Sequence, residues 1–284
     1  MEWLRQLEQA ITYIEEHLDQ EISYDRTARI ACCSTYYFGR MFSYVAGITL
    51  SEYIRRRRMT QAAFELQHSE TKILDISLKY GYSSPTAFNR AFQAVHGLSP
   101  AAARVPGCVL NAYPPLKFSV RITGGDSMPY RIEEKEAIRI VGVRTRLTDN
   151  MEKNHKIAPA FWNQMWQGDQ LPRLCELSDR IPYGILGLSV YLNPENIFYY
   201  IAAATDQPVP EGMYEYKIPA SAWVIFESDG LFKENIQTIF QRFFTEWLPF
   251  SGYTYAELPD IEIYPANSTK TPGGHSEVWI GIKK

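Results

Sequence analysis

The sequence predicts a two-domain chain, with an all-α double helix-turn-helix first and an α+β domain of duplicated layout after it. Three observations carry this reading. A motif repeats at an offset of 50 residues, strand periodicity replaces helical periodicity after a Pro- and Gly-rich stretch, and the charge changes sign at about the same place. At 284 residues the chain is long for one compact domain and suits two, since domains usually hold ~100 to 200 residues. We expect residues 1–106 to form the first domain, 107–127 a linker and 128–284 the second.

With 45% hydrophobic and 21% charged residues the chain can bury a sizeable core and has no signature of disorder. The opening twenty residues are acidic and amphipathic, without a basic n-region and apolar h-region, and no run of ~18 apolar residues follows. These features predict a cytoplasmic protein with no membrane partner. Cys32, Cys33, Cys108 and Cys175 make no CxxC pair and have no suitably spaced His, so neither a metal nor a cofactor is expected. The net charge of −3 hides a division. Residues 22–104 carry eleven Lys and Arg against five Asp and Glu, whereas residues 107–284 carry seventeen against twenty-one. The basic segment suits a polyanion such as double-stranded DNA.

Trp3, Leu7, Ile11, Ile14 and Leu18 recur at helical spacing and predict an opening scaffold helix. A short helix follows at about Tyr24 to Ala31. Ser34 and Ser84 then stand where a hydroxyl caps a helix start, and Pro85 occupies the first helical position, where its missing N–H costs nothing. Phe38, Met41, Phe42 and Val45 match Phe88, Ala91, Phe92 and Val95 as i, i+3, i+4, i+7 core stripes. The opposite faces hold Tyr36, Gly39, Arg40 and Ser43 in the first copy and Thr86, Asn89, Arg90 and Gln93 in the second. Arg, Asn and Gln make bidentate contacts to guanine or adenine in the major groove, so these are the candidate base readers. The second copy is preceded by a short helix near Ile73 to Leu78 and a turn at Gly81. Leu50 to Leu66 reads as a long connecting helix in which Tyr53, Ile54 and Ala62 pack while Arg55 to Arg58 project. Arg55 and Arg58 are the candidate phosphate contacts. Two recognition helices held roughly 34 Å apart would enter successive major grooves.

These residues resemble the AraC/XylS family of regulators. The resemblance rests on Asp75-Ile76-Ser77, Gly81-Tyr82-Ser83, Phe88 to Phe92, Gly97-Leu98-Ser99-Pro100 and Arg104, and covers about residues 5–105. It implies a transcription regulator that binds DNA and meets RNA polymerase. The first unit departs from the pattern at Gly39, which leaves Tyr36 and Arg40 as its readers.

After Val105-Pro106-Gly107, Pro114-Pro115 and Gly124-Gly125 the pattern turns to strands. They are expected at 131–134, 137–146, 183–191, 197–205, 214–218, 222–228, 257–264 and 277–283, with helices at 157–167 and 233–248. This layout, with Tyr130-Arg131-Ile132, Ile261-Glu262-Ile263-Tyr264 and Glu277-Val278-Trp279-Ile280, resembles the GyrI-like effector-binding domain. The resemblance implies a small amphipathic ligand in a hollow between two repeats, lined by an acidic residue and aromatics, here Glu277, Glu262, Trp279, Tyr264 and Trp162. Alternation along a strand puts Glu262 and Tyr264 on one face, and likewise Glu277 and Trp279. A carboxylate among aromatic rings suits a lipophilic cation. Two other roles for the second domain stay open: hydrolysis of a small molecule by a carboxylate and a tyrosine, or binding of another protein. Against catalysis, the five histidines are scattered and assemble no Ser/His/Asp or Cys/His set.

Overall fold

The structure is a computed structural model that describes residues 2–117, 127–265 and 273–284. The chain forms two compact units, Met1–Arg121 and Ile122–Lys284, and each is described by itself.

The first unit is helical: α1 (Glu2–Glu16), α2 (Tyr24–Ile30), α3 (Thr35–Ala46), α4 (Leu50–His68), α5 (Ile73–Lys79) and α6 (Pro85–His96). The repeat is visible in the caps. Ser34 accepts from the Tyr37 N–H and Ser84 from the Ala87 N–H, and α3 and α6 both end on a left-handed glycine, Gly47 at φ 69° and Gly97 at φ 77°. Only glycine takes that conformation without a Cβ clash, so both helices stop at the same point of the repeat. Phe88, Phe92 and Val95 pack with Met59, Ala62, Leu66, Ile76 and Tyr80 in one core, so α4, α5 and α6 close around the apolar stripe.

Residues 108–117, within the expected linker, lie along this unit as a strap. Asn111 Nδ2 donates to the Val95 carbonyl at 2.7 Å and its N–H donates to His96 Nδ1 at 3.3 Å. The Tyr113 N–H donates to Thr60 Oγ1 at 3.1 Å and the Leu116 N–H to the Tyr53 hydroxyl at 3.2 Å. His96 also meets the Met59 carbonyl through Nε2 at 3.0 Å, and burial pushes its imidazole below the ordinary value. A neutral ring that donates at Nε2 and accepts at Nδ1 satisfies both contacts.

Among the described residues the second unit is built on one sheet of nine strands. Its elements are β1 (Tyr130–Lys135), β2 (Ile138–Arg146), α7 (Met151–Gln167), α8 (Gln170–Leu177), β3 (Ile185–Asn193), β4 (Asn196–Ala204), β5 (Tyr214–Ile218) and β6 (Ser221–Leu231), followed by α9 (Phe232–Arg242), a π-helical turn (Phe243–Trp247), α10 (Leu248–Ser251), β7 (Thr254–Tyr255), β8 (Ile261–Tyr264) and β9 (Gly273–Lys283). The strand order is β1-β6-β9-β8-β3-β4-β2-β5, with β7 on β9. This order is a duplication about the β8–β3 seam: β1, β6, β9 and β8 on one side correspond to β5, β2, β4 and β3 on the other. Helix α8 and strand β7 were not expected from the sequence, although Leu171, Leu174 and Leu177 are the buried residues of α8.

Side chains paired in register share a face. One face carries Leu186, Leu188, Tyr200, Ile140, Trp223, Ile225, Ile261 and Trp279 in a continuous buried core. The other carries Val143, Tyr199, Glu262, Val278 and Phe226, and the helices lie there. Trp162 of α7 reaches Tyr199, and Trp247 of the π-helical turn meets Phe226 edge-on at 6.2 Å.

Candidate DNA-reading surface and ligand site

The two expected recognition helices differ. On α6 the core stripe faces inward, and Thr86, Asn89, Arg90 and Gln93 are all exposed on one polar face. On α3 every residue from Tyr36 to Ser43 is buried, including Arg40 at 6% exposure and Tyr36 at 4%. The expectation that Tyr36 and Arg40 stand on an open reading face is therefore corrected. The physical reason lies in local packing: the Tyr36 ring meets the Tyr37 ring edge-on at 5.4 Å, which holds it against neighbouring aromatics. The Arg40 guanidinium lies over the Tyr44 ring at 5.7 Å.

The arginine run on α4 is corrected as well. Arg57 is buried and forms an ion pair with Glu15 at 2.7 Å. Arg58 does not project toward phosphate. Its Nε donates to the Leu18 carbonyl at 2.9 Å and Nη2 to the Gln20 carbonyl at 2.6 Å, and a Cβ added to Gly81 would meet its Nη1 at 2.8 Å. Arg58 thus ties the α1–α2 turn to the turn of the second helix-turn-helix, and burial lowers its guanidinium from the ordinary value. Arg55 pairs with Glu52 through Nη2, and Arg56 reaches the same carboxylate at 2.6 Å. Arg55 is half-buried and holds a local ion pair, which a phosphate contact would have to displace.

In the second unit the five expected ligand residues fall on opposite faces of the sheet. The register pairs Glu262 with Val278 and Ile263 with Glu277, so Glu262 and Glu277 point to opposite sides. Glu277 and Trp279 belong to the core face. The Trp279 indole, 2% exposed, donates to Glu277 Oε2 at 2.6 Å, and Arg131 Nη2 donates to Oε1 at 2.6 Å. This corrects the assignment of Glu277 and Trp279 to the ligand hollow: Glu277 is a structural partner that satisfies a buried indole and an arginine. Replacing Glu277 by Gln should leave cation binding unchanged and lower stability by roughly 1 kcal/mol, because the pair is partly solvent-screened. Thermal unfolding and calorimetric titration of the full chain check this, and lost cation affinity at unchanged stability would restore Glu277 to the site.

Glu262, Tyr264 and Trp162 do come together, on the helix face at the seam between the two repeats. Three further residues, not foreseen, complete the group. The Tyr264 hydroxyl donates to Glu262 Oε2 at 2.8 Å and the Tyr199 hydroxyl to the same oxygen at 3.3 Å. The Trp162 indole donates to the Tyr199 oxygen at 2.8 Å and meets the Tyr264 ring edge-on at 5.1 Å. Trp166 extends the collar, 6.4 Å from Trp162 between ring centroids. Gly187 lies directly across the seam from Glu262. A Cβ there would stand 2.6 Å from the Tyr199 hydroxyl, 3.2 Å from Glu262 Oε2 and 3.2 Å from the Trp162 ring. The group needs a residue without a side chain at 187. A glycine inside the apolar strand Gly184-Ile185-Leu186-Gly187-Leu188 was the available signal for close approach. The result is a carboxylate oriented by two phenols in a half-buried aromatic collar, which offers a cation both charge and ring faces.

Residues 128–283 match the model of the GyrI-like small molecule binding domain, and residues 27–105 match that of a helix-turn-helix domain. The transcriptional regulator Rob of Salmonella typhimurium is 27% identical over 277 residues, covering 92% of this chain and 91% of that protein. The regulatory protein SoxS of Salmonella typhimurium is 41% identical over 91 residues, 32% of this chain and 85% of that protein. A putative transcription regulation protein of Staphylococcus aureus, known from its crystal structure, aligns with a TM-score of 0.49 at 19% identity over 56% of this chain and 100% of its own.

Proposed function

Because the chain belongs to the AraC/XylS family of DNA-binding transcription regulators and to the GyrI-like small molecule binding family, we propose that it is a cytoplasmic sensor of lipophilic cations. Residues 1–106 and 128–284 would be the DNA-binding and effector-binding domains. The observation that carries this reading is the Glu262 carboxylate held by Tyr199 and Tyr264 beside Trp162. Desolvating a carboxylate is costly, and its retention in an aromatic collar is favourable when the occupant brings a diffuse positive charge. The ligand acts on transcription only through different affinities for DNA-bound and free states. RNA polymerase is the expected partner once DNA is bound.

Base readout is assigned to Thr86, Asn89, Arg90 and Gln93 of α6. Replacing Arg90 by Ala should weaken binding to the operator by roughly 1–3 kcal/mol and leave binding to random DNA nearly unchanged. Equal losses on both, in titrations at one fixed salt concentration, would reduce Arg90 to a phosphate contact.

A hydrolytic role draws on the same residues, since a tyrosine hydroxyl 2.8 Å from a carboxylate can pass a proton. We favour a sensor because the hydroxyls of both tyrosines are directed at Glu262. Incubation of the full chain with lipophilic esters and cations, followed by mass spectrometry, tests this. Recovery of every compound intact supports a sensor, and turnover that is lost in Tyr264→Phe would overturn it.

A further inference from the structure

Arg144 of β2 is held in an unusual setting. Its guanidinium carbon lies 4.1 Å from the centre of the Phe198 ring and 4.1 Å from that of Tyr214, and Nη1 donates to the Tyr200 hydroxyl at 2.8 Å. Two aromatic rings thus stand equally close to the group. Its in-plane edge carries the remaining N–H donors, and among the described residues no carboxylate lies within 4.0 Å of it. The other arginines of this unit are served differently: Arg131, Arg139, Arg173, Arg180 and Arg242 each meet a carboxylate, and Arg146 a carbonyl.

The duplication shows what this end of the sheet lacks. Gly187 corresponds to Glu262 across the seam, and pairing outward from them relates Ile201 to Val278 and Val143 to Phe226. Arg144 and Tyr200 then correspond to Glu227 and Glu277, and Tyr214 corresponds to Arg131. At the far end those positions neutralise themselves, with Arg131 bonded to Glu227 and Glu277. At the near end the same three strands supply one positive charge and two phenols.

We propose that Arg144 is a binding site for a small oxyanion, presented by a carboxylate on a flat organic molecule. A guanidinium held against two rings and a hydroxyl has little freedom still to lose, and its fork of N–H donors matches the two oxygens of a carboxylate. The neighbouring Phe198 and Tyr214 rings supply apolar surface for a planar body. The site lies on the core face of the sheet, the face opposite Glu262, and takes the opposite charge.

Calorimetric titration of the full chain with benzoate, its neutral isostere benzamide and inorganic phosphate tests this. Benzoate should bind, and benzamide should bind at least about tenfold more weakly. Arg144→Lys should weaken benzoate about tenfold, since an ammonium keeps the charge and loses the fork. Tyr214→Ala should weaken it severalfold, and Glu262→Gln should not change it. No saturable heat with benzoate below about 10 mM overturns the site, as does wild-type benzoate affinity in both Arg144→Lys and Tyr214→Ala. Tighter binding of phosphate than of benzoate overturns the carboxylate and leaves the oxyanion. Arg144 bonds the buried Tyr200 hydroxyl, so unfolding of Arg144→Lys would pass the decision to Tyr214→Ala, whose side chain is exposed.

Discussion

Replacing Arg57 by alanine is expected to destabilise the first unit by about 3–5 kcal/mol, the range for breaking a buried ion pair from one side. Arg57 Nε donates to Glu15 at 2.9 and 3.0 Å, Nη2 donates to it at 2.7 Å, and Nη1 donates to the Tyr113 carbonyl at 2.5 Å. The Tyr53 hydroxyl donates to Glu15 at 2.6 Å and accepts from Leu116. Burial and the Glu15 carboxylate both raise the Tyr53 hydroxyl above its ordinary range, so Tyr53 remains a donor. Without Arg57, the Glu15 carboxylate, 18% exposed, keeps the hydroxyl and loses its counter-charge. The loss is read in the urea midpoint of the first unfolding transition. Pairing Arg57→Met with Glu15→Leu should restore part of it, because two apolar groups leave no charge behind. Arg57→Ala within about 0.5 kcal/mol of wild type would place the side chain in solvent.

Glu262→Gln should cost a lipophilic cation roughly 2 kcal/mol or more in affinity, about thirtyfold, because one member of a half-buried charge pair is neutralised. Glutamine keeps the oxygen that accepts from Tyr199 and Tyr264, so the collar should persist. A neutral ligand of similar shape should lose little. Tetraphenylphosphonium and a neutral tetraphenyl analogue supply the pair for calorimetry, and a reporter driven by the native promoter should lose response to the cation in proportion. Equal losses for both ligands would mean that Glu262 shapes the collar and its charge is not read.

Patterns confined to neighbouring residues were legible in sequence. Ser34 and Ser84 and the paired apolar stripes specify α3 and α6 through bonds within a few residues, and the helix starts followed. The roles of Arg57 and Arg58 were not legible, because their partners stand 42 and 40 residues away and a run of four arginines looks the same whether it meets solvent or carbonyls. The ligand site was half legible for a similar reason. Alternation groups Glu262 with Tyr264 and Glu277 with Trp279, but only the β8–β9 register decides that the two groups face apart. Tyr199 and Gly187 lie on strands that read as plain core, and they become informative once β3 is placed against β8.

The strap of residues 108–117 decides where the chain leaves the first unit. The path runs past the second recognition helix, back over Thr60 and Arg57, and ends against Tyr53. The strap thus rests on the middle of the connecting helix α4, which lies between the two helix-turn-helix motifs, so residues 108–117 fold as part of the helical unit.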